Sequence, residues 1–293
     1  MGSWRLILTG NIVWLASYPK SGNTWLRVIL DALLLGSYQG GKTDINSLKI
    51  SEHAGSRSLV EAVSACPSSE LSSKEVDQLR PAAFQLLSEK KNGLTFVKVH
   101  DAYRVLEPSV ALFPANVSRQ VIYILRNPLD VAVSFSAHLG LSIDDTISLM
   151  SANFDMGVKA PGLAVGPQVR QRLGSWSFHV ESWTTQDVIP VHVIRYEDLV
   201  ADVGAEVMLV ARLLRLQSTK DEIAQATAAA KFERLQAAEI QAGFREKPAS
   251  LNGLFFRSGS VGGWQEALSS QQADRLIGSH LDIMARFGYL SDL

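Results

Sequence analysis

Along the chain, short apolar runs alternate with longer stretches in which apolar residues recur every three or four positions. Ile12–Ser17, Thr95–His100, Val121–Leu125 and Val191–Arg195 are short, apolar and rich in β-branched residues. That is the pattern of strands covered on both faces of a parallel sheet. The helical period predicts helices over Thr24–Leu35, Ser73–Lys90, Asn127–Leu139, Ile143–Asn153, Val169–Thr185, Val203–Leu216, Lys220–Leu235 and Gln271–Phe287. Asn127-Pro128 is a good helix start, a capping side chain followed by proline at the first helical position. Gly36 is a plausible stop, and Pro81 should break or kink the second helix near Arg80. In the last helix Leu276, Leu281, Ile283, Met284 and Phe287 form an apolar face expected to close the core. The alternation implies an α/β fold with a doubly wound, mainly parallel sheet, read as one domain over residues 1–293. Gly36–Ser72 and Phe244–Gly263 read as loops.

In such a sheet ligands bind at the carboxyl ends of the strands. Lys20, His100 and Arg126 each follow or end a strand, so the pattern brings them to one edge. The stretch Tyr18-Pro19-Lys20-Ser21-Gly22-Asn23-Thr24-Trp25 joins the first strand to the first helix. A helix N-terminus has unpaired N–H groups and the positive end of the helix dipole, Gly22 lets a ligand approach the backbone, and Lys20 adds a cation. The loop reads as a phosphate cradle. It is not a Walker A loop, because its lysine precedes the glycine and no second glycine is present.

Composition narrows the field. The apolar fraction is 46% and the formal net charge is −1, so a core is available and no global field draws the chain to nucleic acid or anionic membrane. Any anion site must be local. The lone Cys66 excludes an internal disulfide and a cysteine metal cluster, and no other metal-ligand cluster is visible. Arg5 and Leu6-Ile7-Leu8 faintly resemble a signal peptide, but cleavage near Ala16 would remove the strand that carries the cradle, so a buried strand is the preferred reading. No long uncharged apolar run is present, because Arg27 and Asp31 interrupt the best candidate.

Two further segments carry anion chemistry. Arg126 ends a strand and Ser134 lies two turns into the next helix; an arginine fork and a hydroxyl suit phosphate oxygens, though each is equally a surface or packing residue when taken alone. In Phe255-Phe256-Arg257-Ser258-Gly259-Ser260-Val261-Gly262-Gly263-Trp264 an arginine stands beside approachable backbone, while the glycines alone read as loop punctuation.

Together the Tyr-Pro-Lys-Ser-Gly-Asn-Thr-Trp loop, the Arg126…Ser134 pair and Arg257-x-Gly259-x-x-Gly262-x-Trp264 resemble the sulfotransferases that use 3′-phosphoadenosine-5′-phosphosulfate (PAPS). Lys98-Val99-His100, Gly174-Ser175-Trp176…His179…Trp183 and Arg195-Tyr196-Glu197-Asp198-Leu199 agree in order and spacing, from about residue 12 to about residue 266. The resemblance implies a three-layer, P-loop NTPase-like fold and transfer of a sulfuryl group to a hydroxyl of a small-molecule acceptor, leaving adenosine 3′,5′-bisphosphate (PAP). It implies that Lys20, Ser21, Gly22, Asn23 and Thr24 hold the 5′-phosphosulfate, with Trp25 on the adenine side. Arg126, Ser134, Arg257, Ser258 and Gly259 would hold the 3′-phosphate, with Ser258 standing where the family has lysine. Tyr196 and Phe232 match positions near the adenine.

Little covalent work falls to the protein in such a displacement. His100 is the candidate base for the acceptor proton, Lys20 neutralises the leaving phosphate, and Lys98, on the same strand face as His100, stabilises the sulfuryl oxygens. No metal is expected. His179, spaced with Trp176 and Trp183 on one helical face, reads as a satisfied core histidine; His53, His138, His192 and His280 read as surface or packing residues. Asp144-Asp145 and Glu197-Asp198 read as helix N-terminal charges. The alternative function is an ATP-dependent small-molecule or nucleoside kinase, which shares the strand, loop and helix layout. The acceptor pocket is expected from Gly36–Ser72, Leu139–Pro167 and Gln236–Asn252, whose few aromatics (Tyr38, Phe154, Phe244) do not favour a flat phenol. A cytoplasmic location follows from this reading. The Lys-Thr-Val-Glu type segment that dimerises many cytosolic members is not found after Trp264, and the oligomeric state stays open.

Overall fold

The computed structural model describes residues 10–36, 44–107, 109–157 and 166–291. The signal-like residues before Gly10, Tyr38 and parts of two expected acceptor segments lie outside them.

The central sheet has five parallel strands, in the order β2-β3-β1-β6-β9: β1 (Ile12–Ser17), β2 (Ser51–His53), β3 (Thr95–Val99), β6 (Ser118–Leu125) and β9 (Val191–Arg195). Two separate antiparallel pairs are β4 (Val105–Leu106) with β5 (Val110–Ala111) and β7 (Asp155–Met156) with β8 (Gln171–Arg172). The β1 strand sits at the centre and is buried along its length. Its alternate residues serve two cores. Ile12, Trp14 and Ala16 face one layer, formed by α3 (Ser73–Lys90), α4 (Pro128–Leu139), α5 (Ile143–Ser151), α6 (Trp176–Thr185) and α12 (Ser270–Arg286). Val13 and Leu15 face the other, formed by α1 (Asn23–Leu35), α7 (Tyr196–Ala201) and α8 (Val203–Leu214). Successive side chains of a strand point to opposite faces, so a run apolar at every position must be covered on both. The result is the three-layer α/β arrangement. Trp14 shows the packing: it is fully buried, meets Phe84 and Phe113 edge-on at 4.9 Å and 5.0 Å, and donates its indole N–H to Ser118 Oγ at 2.8 Å. A third apolar cluster joins α1 and α8 to α9 (Lys220–Ala229), α10 (Phe232–Ala242), Phe244 and Phe256. The short helices α2 (Arg57–Glu61) and α11 (Trp264–Ala267) complete the set among the described residues.

Several expected elements differ. The helix read over Val169–Thr185 begins only at Trp176; Gly174 turns the chain at φ 68° and Ser175 caps the helix, leaving Gln171–Arg172 as strand. Pro81 does not break α3. Buried Val76, Ala83, Phe84 and Leu87 hold both halves against one core, and Arg80 is locked to Asp101, so tertiary contacts outweigh the lost N–H. The segment Lys220–Leu235 is two helices, broken at Ala230 and Lys231, and the second runs on to Ala242, into a stretch read as acceptor loop. Gly36–Ser72 contains a strand and a helix. Leu281 lies on the outer face of α12 and is exposed, while His280 is buried there against Ser177.

Candidate active site

The carboxyl ends of β1, β3, β6 and β9 open into a cleft of about 1220 Å³. Among the described residues it gathers every sequence-derived candidate except one: Lys20, Gly22, Asn23, Thr24, Trp25, Lys98, His100, Arg126, Ser134, Tyr196, Phe232, Arg257, Ser258 and Gly259 line it. Ser21 does not. It is buried beneath the loop, and its Oγ has no hydrogen-bond partner.

The loop between β1 and α1 is drawn tight. Lys20 and Gly22 have φ of 70° and 101°, in the left-handed region. Gly22 takes the N-cap position without a side chain to offer, so the first N–H groups of α1 face the cleft. A Cβ on Gly22 would lie 2.6 Å from the Tyr196 ring. Asn23 turns its side chain back and donates to the Leu15 carbonyl at 2.8 Å and to Ser17 Oγ at 3.3 Å, so its amide braces the strand and its backbone N–H is the donor left for a ligand. Trp25 is anchored by its indole N–H on the Ala230 carbonyl at 2.8 Å.

Four cations converge. The Lys20 ammonium lies 3.7 Å from the Phe255 ring centre; burial, then Arg126, Lys98 and Arg257, push it down to about 7. The Arg126 fork donates to the carbonyls of Lys20 at 3.1 Å and Ser260 at 2.9 Å and lies over the Tyr196 ring at 4.3 Å. Arg257 donates to the Val133 carbonyl at 3.3 Å. The backbone around Arg257 is fastened from both sides. The Glu239 carboxylate accepts the N–H groups of Phe255 and Phe256 at 2.7 Å and 2.9 Å, and Asp130 accepts those of Gly262 and Trp264 at 2.9 Å and 3.1 Å. Gly259, at φ 64°, lies where a Cβ would strike the Phe232 ring at 2.6 Å, and its carbonyl accepts the Tyr196 hydroxyl at 2.8 Å.

His100 stands just past β3. Its Nδ1 is 2.9 Å from the Ser17 carbonyl, which can only accept, so Nδ1 carries the proton and Nε2 of the neutral ring keeps a lone pair. Burial, then Lys98, hold the imidazole well below the usual histidine range, so it is neutral at pH 7. Behind it His179, fully buried, donates from Nε2 to the His100 carbonyl at 3.0 Å and accepts the Tyr123 hydroxyl on Nδ1 at 2.8 Å. It is the satisfied core histidine that its helical spacing implies.

With this geometry in place, the chain can be set beside known proteins. Residues 11–282 match the family described as the sulfotransferase domain. The chain is a member of that family. Cytosolic sulfotransferase 14 of Arabidopsis thaliana is 26% identical over 269 residues, covering 89% of this chain and 72% of the relative. Sulfotransferase 1B1 of Canis lupus familiaris is 25% identical over 274 residues, covering 89% and 79%. Mouse sulfotransferase SULT7A1 complexed with PAP has the same fold, with a TM-score of 0.57 at 20% identity over 94% of this chain and 84% of its own. So does retinol dehydratase in complex with androsterone and PAP, with a TM-score of 0.61 at 17% identity over 94% and 80%. The protein is therefore a sulfotransferase of the PAPS-dependent family, and its family favours sulfuryl transfer over the kinase alternative.

The sulfotransferase cleft also holds residues that the sequence did not single out. His53 lies on its wall with the ring centre 6.4 Å from that of His100, and its Nδ1 accepts the Gly55 N–H at 3.0 Å. His138 lies on the wall beside Phe255, at 6.0 Å. Burial, then Lys20 and Lys98, push His138 down to about 4. Their sequence context alone marks both as surface or packing residues. A signal for His138 was present: Asp130, Ser134 and His138 follow one another at four-residue spacing, so they share a helical face. Glu246 and Arg27 gave none, yet the Glu246 carboxylate accepts from Arg27 at 2.8 Å and 3.0 Å and from Lys98 at 2.9 Å. No group of three or more His, Cys, Asp or Glu among the described residues could hold a metal, and no helix there is long and apolar enough to cross a membrane.

Proposed function

We propose that this cleft transfers the sulfuryl group of PAPS to a hydroxyl of a small-molecule acceptor, within a single sulfotransferase domain. One observation carries the reading. Four segments distant in sequence, the turn carrying Lys20, Gly22, Asn23 and Thr24, the end of β3 with Lys98 and His100, Arg126 after β6, and the loop carrying Arg257, line one cleft. PAP, the ligand of both solved relatives above, is the donor without its sulfuryl group. The cleft residues fit such a ligand: glycines 22 and 259 carry no Cβ where their backbone packs against the Tyr196 and Phe232 rings, the N-terminus of α1 has no side-chain cap, and Arg126 and Arg257 line the same cavity.

In this reading Lys20, Gly22, Asn23 and Thr24 hold the 5′-phosphate end, the latter three through backbone N–H groups. Ser21 acts by shaping the loop. Arg126, Ser134, Arg257, Ser258 and Gly259 hold the 3′-phosphate, and Trp25, Tyr196 and Phe232 frame the adenine. The donor supplies an activated sulfuryl group on a phosphate leaving group. His100 Nε2 takes the acceptor proton while Nδ1 keeps the ring aimed through Ser17, a contribution of about 10²–10⁴-fold for a general base. Lys98 steadies charge on the sulfuryl oxygens and Lys20 charge on the departing phosphate.

The test is incubation with labelled PAPS and a panel of hydroxylated acceptors, read by mass spectrometry, beside calorimetry with PAP. Wild type should bind PAP and add sulfate to a panel member, and His100→Ala should retain PAP binding but lose turnover. Absence of PAP binding would sink the donor reading; full turnover in His100→Ala would sink the base.

A further inference from the structure

The cleft holds one carboxylate joined directly to Lys98. Glu246 projects from the Phe244–Pro248 wall and bridges Arg27 of α1, gripped at 2.8 Å and 3.0 Å, and Lys98 of β3, at 2.9 Å. Arg27 and Lys98 are nearly buried, with side chains 6% and 12% exposed, while Glu246 is 32% exposed and reaches in from the rim. Removing one member of such a set leaves a buried charge without its counterpart. From the sulfuryl-transfer reading above, we propose that Glu246 is a positioning residue for that reaction, holding the Lys98 ammonium charged and aimed at the sulfuryl oxygens, with Arg27 fixing the carboxylate.

The neighbours of Lys98 show why it needs such a partner. Lys20 from the loop, Arg27 from α1, His53 from β2, His100 at its own strand end and His138 from α4 all face it, and Glu246 is the acidic group among them. Burial lowers Lys98, Glu246 acts against that, and Arg27 adds to the lowering. The carboxylate itself resists protonation: burial would raise it, but Lys98 and Arg27 outweigh burial and hold it far below the usual range. Glu246 therefore stays charged at any pH at which the enzyme works. Arg27 spans both carboxylate oxygens, which sets the direction from which the carboxylate meets Lys98.

The two partners predict opposite signs. Glu246→Gln keeps the shape and removes the charge, so the Lys98 ammonium should titrate at lower pH. The alkaline limb of kcat should move down with it, and each unit of that shift is about a tenfold change in the charged fraction. Arg27→Met removes a competing cation and should move the Lys98 titration up. Glu246→Asp should restore most of the wild-type profile. The experiment is an NMR titration of the Lys98 side chain in wild type and the three variants, with kcat and KM for PAPS across pH and PAP binding by calorimetry. The expected result is a kcat loss in Glu246→Gln that grows with pH, with PAP affinity changed far less. If Glu246 only braces the wall, Glu246→Gln will lose thermal stability but keep the Lys98 titration and the kcat profile, and the proposal fails. A wild type that binds no PAP and turns over no PAPS removes the donor reading and this inference with it. Normal PAP binding with an unmoved Lys98 removes the inference alone.

Discussion

Lys20 is a residue whose charge the cleft alters strongly. At about 7 its ammonium is largely neutral in the free protein at about pH 8, whereas an ordinary lysine would be fully charged there. Phosphate oxygens alongside would favour the charged form and draw a proton back. PAP binding at about pH 8 should therefore take up close to one proton, because the phosphates of PAP are already ionised there. Calorimetry in buffers of different ionisation enthalpy reads this as a slope. Lys20→Arg, charged throughout, should bind with almost none. A wild type without the slope would show that Lys20 does not gain a proton when the phosphate binds. The lowered histidine acts on the other limb. His100 protonates only well below the usual histidine range, so the base should remain competent as pH falls through about 6.5, and kcat should not drop there. Gly22 sets the steric limit at this scale. Gly22→Ala places a methyl 2.6 Å from the Tyr196 ring at a φ of 101°, and should abolish PAP binding in calorimetry while the protein still folds.

Among the elements, the segment from Phe255 to Trp264 has almost no secondary structure of its own, yet it carries Arg257 and Gly259 into the cleft. Two carboxylates shape it: Glu239 from α10 and Asp130 from α4. Glu239→Gln loses the charge on two short bonds of a type worth about 1.5–3 kcal/mol each, and should cost about that much stability in denaturant titrations. It should weaken PAP binding as well, because Arg257 loses its fixed backbone. Unchanged PAP affinity would show that the segment orders itself. Such bonds are also where the sequence stops being readable. The runs Ile12–Ser17 and Val191–Arg195 appear as strands with the same bounds in the structure, because short runs rich in β-branched residues have few other solutions. The turn after β1, Arg126 and the glycine segment were legible through local chemistry as residues of one cleft. The β2 strand was not: Ser51-Glu52-His53 is a polar edge strand, defined only by pairing with β3, and it brought His53 to the cleft unannounced. Glu246 sits between Arg245 and Lys247 in a charged triplet without periodicity, and its partner Arg27 lies 219 positions away. The uninterrupted course of α3 through Pro81 was hidden for the same reason, since the contacts that hold it are made with distant strands and loops.

At the scale of the whole molecule, the cleft rests on a buried ionic network at its back. Arg80 and Asp101 are fully buried and paired at 2.6 Å and 3.0 Å, and Asp77 joins Arg104 at 3.1 Å and Arg170 at 3.2 Å. The network ties α3, the turn after His100 and the strand β8 together, since Asp101 also accepts the Arg172 N–H at 2.9 Å. Asp101 follows His100 directly, so the proposed base is mounted on this block, while Lys20, Arg126 and Arg257 are mounted on the other elements. Asp101→Asn leaves the buried Arg80 charge with Asp77, at 3.6 Å, as its remaining carboxylate, and should cost up to about 3–5 kcal/mol of folding stability. A saturating ligand adds stability by mass action alone, in proportion to the logarithm of its concentration over its Kd. If donor site and network are separate devices, PAP should raise the denaturation midpoints of wild type and Asp101→Asn by equal free-energy increments, even though the variant starts far lower and turns over slowly. A smaller increment in the variant would mean that the block carrying His100 also shapes the proposed phosphate cradle, and that the two halves of the cleft are assembled as one.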